Sequence, residues 1–210
     1  MFRLLLFTRQ PWYTFCVVEL CPGGVVPLQK RSHKLLASML LQSQHGFAAR
    51  RYELAFLFGS FQPDCNPLSY LKGSLRARKF RGHNFSNSQL YINAHIARLR
   101  QCRSWTTWQY YTLGKLPHYL ADAFTYPHNE TYPDSLMAHR QYEDELRMYL
   151  AEYLQQRTLR SQQFREDLEA AISELHRQYL ESRGDLQRDV QYILQATAML
   201  MAGCCPNAAV

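Results

Sequence analysis

Apolar residues recur three and four apart along most of this chain, the spacing that lays them on one face of an α-helix. From Ser32 the pattern predicts a helix to about Gln44, with Ser32 as its cap and Leu36, Leu40 and Leu41 on one face. A second helix is predicted over Phe47–Phe58. The stretch 59–82, with Pro63, Pro67 and Gly73, reads as a long loop, and loops of that length inside a compact domain often carry function. Ser86 and Gln89 spell a capping box before Leu90, Ala94 and Leu99, predicting a helix to about Gln101. Further helices are predicted over Ser104–Phe124 and Ser135–Gln156, with Tyr126–Asp134 as a connection because of Pro127 and Pro133. Phe164, Leu168, Ile172, Leu175 and Tyr179 space a helix that stops at Gly184. Val190, Ile193, Leu194 and Met201 space a last one before Gly203. No alternating run of useful length predicts a strand, so the expectation is an all-α, single-domain helical bundle. Residues 1–27 follow neither period and form a poorly defined segment ahead of a helical domain over 28–205.

Composition narrows the class. The 210 residues are 47% hydrophobic and 20% charged, with 9 Gly and 9 Pro placed without period, which excludes collagen and makes extended disorder a poor fit. No apolar run is long enough to span a bilayer. Charge is uneven: half of the 24 Lys and Arg precede residue 82, where the acids are only Glu19, Glu53 and Asp64. Lys72, Arg76, Arg78, Lys79 and Arg81 cluster within residues 72–81, which suits peripheral contact with an anionic surface or with phosphates. A solvated face is the plainer reading of such a run. The six cysteines include no CxxC pair, so neither a disulfide framework nor a thiolate zinc site is indicated. Arg9, Gln10 and Pro11 interrupt the apolar start, so no cleavable signal is expected, and together with the cysteine usage this gives a cytoplasmic location as the expectation.

The chemistry concentrates in histidines with acidic company. His118 and Asp122 stand four apart, as do His139 and Glu143, and each pair projects from one helical face where it can hold an ion; His128 follows six residues after Asp122. His139 and Glu143 also continue the stripe of Leu146, Leu150 and Tyr153, so they fall on the face expected to be buried, where an unpaired Glu is costly. Either pair alone is more often an ordinary ion pair or a satisfied core histidine; two pairs together favour a metal cluster. His33 lies one turn before Leu36, Asp64 lies in the Gln62-Pro63-Asp64 loop, and His83 precedes the Ser86 helix, all suitable places to present a ligand to a shared cavity. His45, His95 and His176 have no acid at suggestive spacing and are read as structural, as is Cys65.

The run YTLGKLPHYLADAFTYPHN, residues 111–129, resembles the metal-binding core of the bacterial zinc-dependent phospholipase C family, related to the P1-type zinc nucleases. The likeness covers His33 to about Glu143. It implies a zinc cluster in a cleft between helices, with ligands in the order His33, Asp64, His83, His118, Asp122, His128, His139 and Glu143. By similarity, Asp64, His83, His118 and Asp122 would hold one zinc, His128, His139 and Glu143 a second, and Asp122 would bridge to a third ion at His33. Clustered divalent ions need several anionic ligands to offset their repulsion, and water held between them reaches a pKa of about 7, giving a hydroxide nucleophile for a phosphodiester. Asp64 is the candidate for orienting that water.

The chain departs from the family in two places. The family's N-terminal Trp has no equivalent before His33, since Trp12 is internal, so the third ion is expected to be weakly held. Pro117 directly before His118 is expected to kink or restart that helix. The expected activity is zinc-dependent, phospholipase C-like phosphodiester hydrolysis, on phospholipid or another phosphoester. A nuclease or phosphomonoesterase, and a non-catalytic metal-stabilised binding protein, are the alternatives.

Overall fold

The computed structural model describes residues 29–65, 85–129, 136–156, 167–182 and 185–205. They form α1 (Gln29–Ser43), α2 (Arg50–Cys65), α3 (Phe85–Gln101), α4 (Thr107–Ala123), α5 (Leu136–Gln156), α6 (Leu168–Leu180) and α7 (Leu186–Cys204), with a 3-10 turn at Tyr126–His128 between α4 and α5. No strand occurs among the described residues, and the bundle is all-α. No described helix is long and apolar enough to cross a membrane.

Helix α4 is the hub. It packs against α1, α2, α3 and α7, while α5 lies on α1 and α7, and α6 on α7 and α3. Leu113, Leu116 and Leu120 on α4 are fully buried with Phe56, Ile92, Ile96, Phe124 and Leu200. Fully burying a side chain of this size contributes about 1.5–3 kcal/mol. That burial accounts for the continuous helix through Pro117, where a kink or restart was expected: the cost of an internal proline, about 3 kcal/mol, is smaller than the packing gained on both sides of it.

Several boundaries move from their sequence positions. Helix α1 begins at Gln29, so Ser32 is inside it and is not its cap; Gln29, Lys30 and Arg31 are good helix formers that extend it by a turn. It ends in a Schellman motif, Gly46 N–H donating to Leu41 O (3.0 Å) and His45 N–H to Gln42 O (3.0 Å), with His45 itself left-handed at φ 57. Phe47 thus lies outside α2, which starts at Arg50 and runs on through Pro63 to Cys65. Residues 59–65 are accordingly helical, and Asp64 sits in a last helical turn whose Phe61 and Pro63 are buried. Likewise Ser86 is inside α3. The start of α4 is set by a capping box at Thr106 and Gln109, Trp108 N–H donating to Thr106 Oγ1 (3.3 Å) and Thr106 N–H to Gln109 Oε1 (2.9 Å). At the other end of the chain, Asp167 and Asp185 cap α6 and α7. Helix α6 stops at Leu180, short of Gly184, and α7 continues through Gly203, which lies under Leu168.

Helices α2 and α4 cross at close range. A Cβ on Gly114 would stand 2.0 Å from Phe56 O, and one on Gly59 2.3 Å from Tyr111 O, so the two backbones meet where only glycine fits. One helical turn further along each helix lie Pro63 and Asp64 on α2 and His118 on α4. The glycine contact therefore sets how near those groups come to each other.

Candidate metal centre

The geometry is built on the stripe Gly114, His118 and Asp122, three residues at fourfold spacing on one face of α4. Because the glycine crossing brings α2 close, His118 Nδ1–H donates to the Ser60 carbonyl at 2.9 Å. A carbonyl can only accept, so this bond fixes the proton on Nδ1 and aims Nε2 at the carboxylates. His118 Nε2 lies 3.6 Å from Asp64 Oδ1 and 3.4 Å from Asp122 Oδ2. His33 on α1 stacks on His118 with ring centroids 3.9 Å apart, and its Nε2 is 3.3 Å from Asp122 Oδ1. Asp122 thus turns one carboxylate oxygen to each histidine. His33, Asp64 and His118 can each offer a ligand atom within 4.8 Å of the others.

A second group stands on the 3-10 turn and α5. Glu143 Oε1 lies 3.0 Å from His128 Nε2 and 2.7 Å from His139 Nε2. These three also offer ligand atoms within 4.8 Å of one another. Asn129 holds the turn that carries His128, its side-chain amide donating to the carbonyls of Thr125 (2.9 Å) and Ala123 (3.3 Å) at the end of α4. His139 and Glu143 lie on the same stripe of α5 as buried Leu146, Leu150 and Leu154. Between the groups lies a small cleft with a cavity of about 40 Å³, lined by His33, Asp122, His128 and Glu143 and backed by the buried Leu36, Leu146, Leu150 and Ile193.

Charge in the cleft is strongly coupled. Burial opposes ionisation of Asp122, but His118, His128 and His33 around it hold its carboxyl well below the usual carboxylate range. Burial also disfavours the charged form of His33, and the bond and charge of Asp122 outweigh it and raise the imidazole's pKa. His128 is raised in the same way, by Asp122 and Glu143 against its burial.

The donor set fits zinc. Ligand atoms about 2.0–2.1 Å from a tetrahedral zinc stand about 3.4 Å apart, the spacing found around His118, and a ligating histidine commonly donates its other N–H to a backbone carbonyl, as His118 does to Ser60. An N–H···O bond would be shorter, near 2.9 Å. His33 Nδ1 is buried with no hydrogen-bond partner among the described residues.

Of the residues singled out in the sequence, His33, Asp64, His118 and Asp122 form one continuous group and His128, His139 and Glu143 the other. His83 lies outside the described residues, as do residues 1–27 and the basic cluster 72–81. His176 and His95 sit apart from the cleft, each bonded to a backbone carbonyl, Ala123 O at 3.2 Å and Tyr91 O at 2.8 Å. One buried acid escapes the sequence reading. Asp189 on α7 is fully buried and accepts from Tyr126 N–H (2.8 Å), Tyr142 OH (2.9 Å) and Tyr179 OH (2.7 Å). Its signal was present: like Glu143, it is an acid on an apolar helical stripe, here with Leu186, Ile193 and Leu200.

No curated protein and no solved structure matches the chain significantly. The family model for zinc-dependent phospholipase C matches residues 32–186, which span every described residue of both groups and roughly three quarters of the sequence. That family supports zinc and, in general terms, hydrolysis of phosphodiesters. With both groups of donors inside the matched region, the chain belongs to the zinc-dependent phospholipase C family.

Proposed function

We propose that the protein is a zinc-dependent phosphodiesterase acting on phospholipid, with Asp64, His118 and Asp122 holding one zinc, His128, His139 and Glu143 a second, and Asp122 reaching through its other oxygen toward a third ion at His33. The observation that carries this reading is the pose of His118. Its Nδ1 proton is committed to Ser60 O, and its Nε2 faces two carboxylates at spacings suited to a shared cation. His83 completes the first set by the order of the family's ligands.

Zinc held there supplies an acidified water and positive charge for the phosphoryl oxygens. The chain's own groups do the rest. Asp122 and Asp64 bring negative charge that offsets repulsion between neighbouring cations. Asp64, at the end of α2, would orient the attacking water and take its proton; in-line attack would form the new bond to phosphorus as the bond to the leaving oxygen breaks, and the proton held by Asp64 would pass to that oxygen, so that it departs as an alcohol. His118 is kept in the lone-pair-forward tautomer by Ser60, so no proton has to move before it binds metal.

Membership of a phospholipase family supports a lipid over a nucleotide as substrate. Lys72, Arg76, Arg78, Lys79 and Arg81 support contact with an anionic substrate surface. The test is turnover of phosphatidylcholine vesicles, a soluble chromogenic phosphodiester and single-stranded DNA by zinc-reconstituted protein, with and without chelator. Chelator-sensitive release of a phosphorylated headgroup supports the reading. DNA cleavage without lipid turnover assigns the nuclease alternative, and zinc binding without turnover of any substrate assigns a metal-stabilised binding protein.

A further inference from the structure

The buried carboxylate of Asp189 joins two parts of the chain that carry proposed ligands but are themselves not continuous in the described structure. Its Oδ2 accepts from Tyr126 N–H and Tyr142 OH, and its Oδ1 from Tyr179 OH. Tyr126 opens the 3-10 turn that ends at His128. Tyr142 directly precedes Glu143 on α5 and stands three residues after His139. One oxygen therefore grips both the turn with His128 and the helix with His139 and Glu143, while the other is fixed by α6 through Tyr179. Stacked on this, the Tyr126 and Tyr142 rings lie 6.1 Å apart, so the two gripped residues also meet each other.

A carboxylate is an expensive way to fill such a place. Burial pushes the Asp189 carboxyl up to about 6, against the three hydrogen bonds and with a smaller upward push from Asp185. An apolar side chain of similar volume would avoid that cost but would take away the acceptor that Asp189 gives to the Tyr126 N–H and to the Tyr142 and Tyr179 hydroxyls. The backbone of the turn is one of the three donors that Asp189 serves, and what that backbone carries is His128.

We infer that Asp189 is a positioning residue, clamping the Tyr126 amide and the Tyr142 hydroxyl so that His128 meets His139 and Glu143 at ligand spacing. This rests on the reading that those three residues hold zinc. Asp189 itself lies beyond residue 186, where the family match ends, so the clamp comes from a part of α7 that the family pattern does not describe.

The test uses the full chain as wild type, Asp189→Leu, Asp189→Asn and Tyr142→Phe. Zinc affinity is measured by chelator competition, with the two centres assigned through His118→Ala and His139→Ala, and hydrogen exchange of the Tyr126 amide is followed in metal-free protein. Asp189→Leu weakens zinc at the Glu143 centre about 10–100-fold while changing the His118 centre by no more than about threefold, and the Tyr126 amide loses protection. Asp189→Asn keeps one acceptor oxygen for Tyr126 and Tyr142, and the Tyr179 hydroxyl can turn to accept from its amide, so it restores both readouts to near wild type. Equal weakening at both centres, unchanged affinity at both, or an Asn variant as defective as Leu in folded protein overturns the clamp. If Asp189→Leu does not fold, Tyr142→Phe decides, with a smaller loss confined to the Glu143 centre expected and none contradicting. If wild type binds no zinc at that centre, the zinc reading fails separately, and the Tyr126 amide still decides: protection retained in Asp189→Leu overturns the clamp, and protection lost upholds it.

Discussion

The two groups of donors differ in how they are held without an ion. In the group of His33, Asp64, His118 and Asp122 the nitrogen-to-oxygen separations are 3.3, 3.4 and 3.6 Å, at or beyond the long end of the hydrogen-bond range and suited to ligands of one cation. Around Glu143 they are 3.0 and 2.7 Å, ordinary hydrogen bonds that the residues make with each other. Burial follows the same division. The His118 side chain is wholly buried and that of His139 is 25% exposed. The first group is braced by an interhelical backbone contact at Gly59 and Gly114; the second hangs on a short turn and one edge of α5. A rigid helix crossing can hold like ligands apart at the spacing of an ion, whereas a more open group closes on itself and must break two hydrogen bonds to admit one.

The largest expected effect is at the residue nearest both arms of the first group. Asp122→Asn lowers phosphodiester turnover about 100–1000-fold, more than any other single ligand change, because a neutral side chain removes charge and a ligand atom together. His45→Ala, at the end of α1 and away from the cleft, leaves turnover near wild type, and His33→Ala costs less than His118→Ala. Steady-state kinetics on the zinc-reconstituted proteins check all three.

Metal removal separates the groups next. Wild type holds at least two zinc equivalents, and graded chelation empties the Glu143 centre before the His118 centre, read by elemental analysis on the His118→Ala and His139→Ala variants. Any third equivalent, at His33, leaves first.

A smaller effect reaches the site through packing alone. Gly114→Ala places a Cβ 2.0 Å from Phe56 O, which cannot yield without moving α2, so it destabilises the fold by about 1–3 kcal/mol or more. Zinc affinity then falls at the His118 centre and much less at the Glu143 centre. Denaturant unfolding and chelator competition on one sample check both parts.

The smallest expected effect lies outside both groups. His176 is buried against Phe124 and Tyr179, and burial, only partly opposed by its bond to Ala123 O, lowers its pKa to about 4. Its folded value is below the unfolded value of about 6.5, so it favours the fold above pH 6.5 and this contribution is lost as pH falls toward 4. Metal-free wild type loses about 1 kcal/mol more than His176→Gln between pH 7 and pH 5, after allowance for partial solvent screening. Urea titrations at both pH values measure the difference.

The contrast between the groups also explains what the sequence disclosed. The fold class, the helical stripes and the pairing of His118 with Asp122 and of His139 with Glu143 depend on spacing within one helix, which sequence states directly. The meeting of α1, α2 and α4 does not. Pro63 read as a loop because local chemistry disfavours it in a helix, yet burial of Phe61 and Pro63 carries α2 through to Asp64. Pro117 misled in the same direction. Thr106 and Gln109 did spell the true start of α4, three residues inside the expected one. Ser60 had no legible role, since it acts through a carbonyl that every residue possesses, and Gly59 and Gly114 show their purpose only once the two helices cross.

Anomalous diffraction at the zinc edge from crystals of the zinc-loaded full chain tests the central claim most directly. The account predicts one zinc bound by His118, Asp64 and Asp122 and another by His128, His139 and Glu143, each ligand atom about 2.0–2.2 Å from its ion. Zinc absent from both places, or held only by residues outside these two groups, would contradict it.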